Sequence, residues 1–336
     1  MGGADVGGAS GLAAGGDPLF VLRGLLRLVH DRGREGVRRL TVLALGEAMV
    51  ELSASADPAL WHLGFAGDTL NTAWYLRRLL PADQAVGYLT RVGTGGFSTR
   101  LRDFIAAAGI VPDHIGTDPA REVGLYAIDL NDGERSFTYW RSASAARGLA
   151  DDAGALDRAF AEAATLYLSG ITVAILPPEG RDRLAVALAR ASEGGARVVF
   201  DPNMRPRLWE DAATMRAQIT RFAGLSDLIL PSFDDEAAQF GDEGPPATIA
   251  RYLDAGAGTV VVKAGGGPVH YGGAAGAGVV ADLPRATPVD STAAGDSFNA
   301  GYLAAALQGQ PPEAAIRAGH ALALRVIAHR GALVPL

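Results

Sequence analysis

From residue 165 onward one pattern repeats: a short apolar run, a turn of small or polar residues, then an amphipathic stretch. Leu166-Tyr167-Leu168-Ser169-Gly170 precedes a predicted helix over residues 181–191, and Val198-Val199-Phe200-Asp201 precedes a loop and one over 212–222. Leu228-Ile229-Leu230-Pro231 precedes a helix over 235–240, and Val260-Val261-Val262-Lys263 runs into a glycine cluster. Short apolar runs without alternation are buried on both faces, as strands of a parallel sheet are. Parallel neighbours need a crossover, and amphipathic helices supply it. The chain is therefore expected to be α/β, with a mostly parallel central sheet, helices on both faces and its sites at the carboxyl ends of the strands. Leu40-Thr41-Val42-Leu43-Ala44-Leu45-Gly46 and Val86-Gly87-Tyr88-Leu89-Thr90-Arg91-Val92-Gly93 read as further buried strands, and residues 97–108 as an amphipathic helix.

Two segments break this rhythm. Residues 47–65 alternate as half-exposed strands do, and two β-rich runs, residues 123–130 and 135–140, flank Asn131-Asp132-Gly133-Glu134. Asp-Gly between such runs signals a hairpin. Segments from about 47–65 and 122–141 are expected to form a small separate sheet, a β lid. Its free edges are a surface that a second copy can cover, so a homo-oligomer fits the reading. Residues 1–38 read as an N-terminal extension, Gly/Ala-rich and disordered at first, then either disordered or an extra helix.

Several classes are excluded by what is missing. Net charge is −7 and no basic block is interleaved with aromatics, so nucleic acid is not an expected partner. There is no cysteine, hence no disulfide and no thiol chemistry. No apolar run approaches the ~20 residues of a membrane span, so no membrane is expected and a cytoplasmic location fits. The six histidines lack metal-ligand spacing, and the metal ligands stay unknown.

Chemistry concentrates in four loops. In Asp290-Ser291-Thr292-Ala293-Ala294-Gly295-Asp296-Ser297-Phe298-Asn299-Ala300-Gly301, small residues stand where an extended segment, including 278–283 and 287–289, turns into a helix. N–H groups at a helix start lack partners within the helix and favour anions. Ala293, Ala294 and Gly295 leave room for a phosphate there. Asp296 has two readings: a first-turn acid favoured by the helix dipole, or a base taking a proton from a hydroxyl that attacks the held phosphoryl group. Gly265-Gly266-Gly267 follows Lys263, the only lysine, and lets a backbone approach a ligand closely. Asp201-Pro202-Asn203-Met204-Arg205-Pro206-Arg207-Leu208-Trp209 is dense in polar groups after a buried strand. Tyr139-Trp140-Arg141 ends the predicted hairpin, and in Gly67-Asp68-Thr69-Leu70-Asn71-Thr72 Asp68 can cap a helix.

Jointly these stretches resemble the ribokinase-like (PfkB-type) carbohydrate kinases over residues 41–335. The 290–296 run is similar to the family's Asp-Thr-Thr-Gly-Ala-Gly-Asp signature, with Ser291 and Ala293 in place of a Thr and a Gly. The resemblance implies a three-layer α/β sandwich with a β lid, a kinase domain over 39–336, and ATP with Mg²⁺. It makes Asp296 the general base and Ala293, Ala294 and Gly295 the backbone anion hole. Gly67, Asp68 and Asn71 would meet the sugar, and Asn203, Lys263, Gly265 and Gly267 the nucleotide. Pro268 replaces the last glycine of the family's Lys-x-Gly-x-x-Gly, and Glu236 matches a motif tied to Mg²⁺ and phosphate, with Phe233 in that motif's Asn position. Within the family the likeness is to the branch converting 2-dehydro-3-deoxy-D-gluconate to its 6-phosphate. It implies Arg141 and Arg205 at the acid end, with Tyr126 and Tyr139 flanking the sugar. Arginine suits a carboxylate because its planar fork bonds two oxygens. A neutral-sugar kinase for fructose or ribose, and a catalytically silent sugar sensor, are the alternatives; gluconate against galactonate configuration stays open.

Overall fold

A computed structural model of the chain describes Met1 and residues 39–55, 57, 59–131 and 134–336. The expected N-terminal extension, Met1 apart, and the Asp132-Gly133 turn lie outside the described residues. The chain divides into the units Met1–Val37 and Arg38–Leu336, and the second carries everything below.

Its first half contains β1 (Leu40–Leu45), β2 (Met49–Ala54), β3 (Trp61–Ala66), α1 (Asp68–Leu79), β4 (Val86–Val92), α2 (Gly96–Ala107), β5 (Ile115–Thr117), β6 (Leu125–Asn131) and β7 (Glu134–Trp140). Next come α3 (Ala153–Ala161), β8 (Ala163–Ser169), α4 (Gly170–Ile175), α5 (Pro178–Glu193), β9 (Arg197–Asp201), α6 (Ala212–Ala223), β10 (Leu228–Ile229) and α7 (Phe233–Phe240). The chain closes with α8 (Pro245–Asp254), β11 (Thr259–Val262), β12 (Val269–Gly273), β13 (Gly278–Val280), α9 (Ala294–Leu307) and α10 (Pro312–Ile327).

Nine strands form the main sheet in the order β13-β12-β11-β10-β9-β8-β1-β4-β5. The strands from β11 to β5 run parallel, while β12 and β13 close one edge antiparallel. Alternate side chains of each strand enter opposite cores. Leu43, Leu45, Leu166, Leu168, Val198 and Phe200 pack with Leu184, Leu188, Met215 and Ile219 of α5 and α6. Val42, Ala44, Tyr88, Tyr167 and Val199 pack with Leu70, Tyr75, Leu101, Phe298 and Ile316 of α1, α2, α9 and α10. Each fully buried aliphatic or aromatic side chain contributes ~2 kcal/mol of transfer free energy. This is why the apolar runs fold as central strands between two helix layers. The helix starts follow local chemistry: Asp152 and Asp211 accept from the N–H groups of Ala155 and Thr214, and Pro178, Pro245 and Pro312 occupy first positions, where no N–H is needed.

The two segments expected to stand apart form a four-stranded sheet, β3-β2-β6-β7, in which β2 pairs parallel with β6. Met49, Tyr126 and Ile128 on one of its faces pack with Ala332 and Ala293, so this face lies against the start of α9. One expectation changes: residues 287–289 form no strand. The glycine cluster turns the antiparallel β11–β12 hairpin. Gly265 and Gly266 have φ of +51° and +83° there, a backbone that a side chain would strain. Among the described residues no helix is long and apolar enough to cross a membrane.

Candidate active site

The carboxyl ends of β8, β9 and β11 face the N-termini of α1 and α9, and Asn71, Asp201, Lys263 and Asp296 come together there. Asp290 anchors the last of them. One of its oxygens accepts from Thr292 N and Oγ1 at 3.0 and 2.7 Å, and the other from Gly331 N at 2.7 Å. Ala293 then takes the left-handed conformation, φ +60°, to turn the chain into α9. Ser297 N–H closes onto Ala293 O at 2.9 Å, and Ala294 N–H donates to Ser291 O at 3.2 Å. The first-turn N–H groups of Gly295 and Asp296 have no carbonyl inside the helix to meet. The expected anion cradle is thus narrower than the whole 293–296 run, because Ala294's amide is engaged.

Asp296 is held from the opposite helix. Asn71 Nδ2 donates to its Oδ2 at 2.8 Å, and Thr72 Oγ1 to its carbonyl oxygen at 3.2 Å. Asn71 reaches it because the chain passes close to the β1–β2 connection at Gly67, where a Cβ would lie 2.3 Å from Glu47 O. Asp68 does more than start α1. One oxygen accepts from Thr69 N, and the other from Asn203 Nδ2 at 2.8 Å. Asn203, at φ +30°, is thereby drawn to the expected sugar side rather than to the nucleotide turn.

Beneath lies a buried polar layer. Asn299 Oδ1 accepts from Lys263 Nζ at 3.0 Å, while its Nδ2 donates to Asp201 Oδ2 at 2.7 Å and to Tyr167 OH at 3.0 Å. Lys263 Nζ also pairs with Asp201 at 3.6 Å. Loss of solvation raises the Asp296 carboxyl to about 8; nearby Asp68 and Asp201 push the same way, and Asn71 and Lys263 oppose them. Burial likewise raises Asp201, against Lys263 and the Asn299 bond.

The small sheet adds a wall. Tyr126 and Tyr139 lie directly across from each other with centroids 5.7 Å apart, and Tyr126 OH donates to Glu51 on the next strand. The two arginines of the expected acid end differ sharply. Arg141 is mostly covered and lies against fully buried Glu47, donating from Nε at 2.8 Å, while Glu47 Oε1 has no partner. Arg205 is half-exposed, donates to Met204 O and lies 3.8 Å from Asp235. Glu236 points into the core. It accepts from Arg251 at 2.7 Å and from Tyr252 at 2.9 Å, and burial raises its carboxyl to about 7 against the pull of Arg251. A carboxylate committed in this way does not fit a metal ligand, and among the described residues no group of three or more acids and histidines is arranged to hold a cation.

Reading the sequence missed Thr72, Tyr167, Asn299 and Glu47. Asn299 carried a signal: an amide in the middle of an apolar helix must find partners when buried. Glu47 gave none, since an acid after a strand is ordinarily solvated.

An acid and two amides without a carbonyl partner thus stand together at one helix start, beneath a small sheet, a place suited to an anion. The pfkB family of carbohydrate kinases matches residues 40–336, and the chain belongs to that family. It is accordingly a sugar kinase. It is 38% identical to a 2-dehydro-3-deoxygluconokinase of Dickeya dadantii and 37% identical to one of Escherichia coli K12; each comparison covers 88% of this chain and 97% of the relative. A solved PfkB protein from Polaromonas sp. JS666 is similar at TM-score 0.75 and 30% identity, over 86% of this chain and 96% of that one.

Proposed function

We propose that this chain transfers the γ-phosphoryl group of ATP to the 6-hydroxyl of 2-dehydro-3-deoxy-D-gluconate. The observation that carries the reading is the Asp296 carboxylate, held at 2.8 Å by Asn71 beside the free amides of the α9 N-terminus. The sugar-acid kinases among its relatives support the substrate. In this mechanism the sugar lies between Gly67, Asp68 and Asn71 on one side and Tyr126 and Tyr139 on the other. Arg205, with its loose pairing, receives the substrate carboxylate, and Arg141 borders that end. The nucleotide runs along the Gly265–Gly267 turn. Asp296 takes the hydroxyl proton as the oxygen attacks phosphorus. The Gly295 and Asp296 amides, with Ala293 and Ala294 shaping the turn, receive the charge that gathers on the equatorial oxygens. Mg²⁺ accompanies ATP in this chemistry and neutralises phosphate charge; Glu236 is committed to Arg251, so no step is routed through the ion.

A neutral sugar is the second reading, favoured by one observation: Glu47 already neutralises Arg141. A coupled ADP-release assay with 2-dehydro-3-deoxygluconate, its galactonate epimer, fructose and ribose decides. The proposal expects the sugar acids to be turned over at least tenfold more efficiently than fructose or ribose. The reverse order sinks it, and sugar binding without ADP release identifies a sensor.

A further inference from the structure

Lys263 is the only lysine of the chain, and it is 8% exposed. Its backbone is clamped on both sides. Its N–H donates to Pro231 O at 2.9 Å and its carbonyl accepts from Phe233 N at 2.7 Å, so the side chain starts from a fixed point at the end of β11. The ammonium reaches Asn299 at 3.0 Å and Asp201 at 3.6 Å. A Cβ built on Gly295 would lie 3.7 Å from Nζ, so the ammonium stands in contact range of the residue whose amide faces the anion site. Burying an ammonium is costly unless it is paired and hydrogen-bonded, and here both conditions are met.

The surrounding charges do not cancel. Asp68 of α1, Asp201 of β9 and Asp296 of α9 share the pocket, with Tyr75 of α1, Tyr126 of β6 and Tyr167 of β8 also facing Asp296. Lys263 acts on Asp296 and Asp201, half-exposed Arg205 acts on Asp201 alone of the two, and a phosphoryl group adds still more negative charge. We propose that Lys263 is a positioning residue for phosphoryl transfer: from behind Gly295 its ammonium strengthens the amide cradle and offsets the acids around Asp296, without touching the nucleotide. The proposal rests on the kinase reading above. The Asn299 amide carries the effect, since it bonds Lys263, Asp201 and Tyr167 together and lies one helical turn from Asp296. A fixed charge behind oriented amides acts on the developing charge with no reorganisation at the moment of reaction.

The test compares full-length wild type, Lys263→Met, Asp201→Asn and the double variant, with Mg²⁺-ATP and the best sugar of the panel. Lys263→Met is expected to lower kcat about 10- to 100-fold, in the range for removing one electrostatic contributor. KM for ATP should stay within about threefold, and the acid limb of the kcat/KM profile should move up by about one pH unit, because Asp296 loses the cation that favours its ionised form. The double variant leaves no unpaired buried carboxylate. It should melt near wild type and return the acid limb toward its original position, with kcat still depressed. If Lys263→Met does not fold, the double variant alone decides. A rise of tenfold or more in KM for ATP at unchanged kcat makes Lys263 a nucleotide contact and overturns the proposal. So do unchanged kcat and an unmoved limb in folded variants, the outcome of a merely structural lysine. Wild type that phosphorylates no sugar removes the kinase reading itself; active wild type with indifferent variants removes this proposal alone.

Discussion

Replacing Asp296 with Asn separates two consequences of putting a carboxylate in this pocket. The amide oxygen can still accept from Asn71 Nδ2, whose bond to Asp296 is 2.8 Å long, so the joint between α1 and α9 is kept. The base is lost, and general-base help is worth ~10² to 10⁴ in rate, so kcat should fall by about that factor. Stability should move the other way. The Asp296 carboxyl goes from an ordinary 3.8 to about 8, which corresponds to a ceiling of roughly 6 kcal/mol at high pH. Solvent reaches the half-buried side chain and screens its repulsion from Asp68 and Asp201, so about 2 kcal/mol is the expected gain. The sign follows from proton counting. Between 3.8 and about 8 the folded state binds more protons than the unfolded one, so wild type loses stability as pH rises through that window. The variant's advantage is therefore full above about 8, shrinks on acidification and is gone below the ordinary carboxylate pKa. Melting curves at pH 5, 7 and 9 beside the ADP-release assay measure both effects. A gain that ignores pH, or grows toward acid, refutes the electrostatic account; turnover within about tenfold of wild type removes Asp296 as the base.

Arg205→Ala should raise KM for the sugar acid at least tenfold while KM for ATP changes little, measured by initial rates with each substrate varied; equal rises exclude Arg205 as the carboxylate ligand. Ala293→Gly should stabilise the fold by ~1 kcal/mol in denaturant titration, because a non-glycine residue at φ +60° bears left-handed strain; a loss of stability would show that the methyl group's packing against the small sheet outweighs the strain. Arg251→Met should cost ~3 kcal/mol in alkaline solution, since it takes the cation from buried Glu236 and from Asp242, and the loss should shrink as pH falls toward about 7, below which Glu236 holds a proton even in the wild type. A pH-independent loss would assign the effect to packing on Phe240 and Tyr252.

Particular residues show where legibility stops. The strands β1, β4, β8, β9 and β11 were readable because burial on both faces leaves unbroken apolar runs, a local property of the chain. The small sheet was readable from the alternation and β-rich character of its two segments. Asp296 could be singled out because the residues before it are small just where a helix begins. The Gly265–Gly267 cluster was read as a place of close backbone approach, and the structure adds positive φ at Gly265 and Gly266. Its place in an antiparallel hairpin was not readable, because the direction of the next strand depends on which edge of the sheet is still open.

Sequence alone determined the layered α/β class, the polar and glycine-rich loops at the strand ends and the acid at the start of α9, since periodicity and residue size act over a few positions. Tertiary structure decided the partners: Asn71 on Asp296 across 225 residues, Asn203 on Asp68, Lys263 beneath Gly295, Arg141 taken by Glu47 and Glu236 turned inward to Arg251. A charged or amide side chain is satisfied by whatever the folded sheet brings within hydrogen-bond reach, and that distance is set by packing between layers rather than by neighbours along the chain.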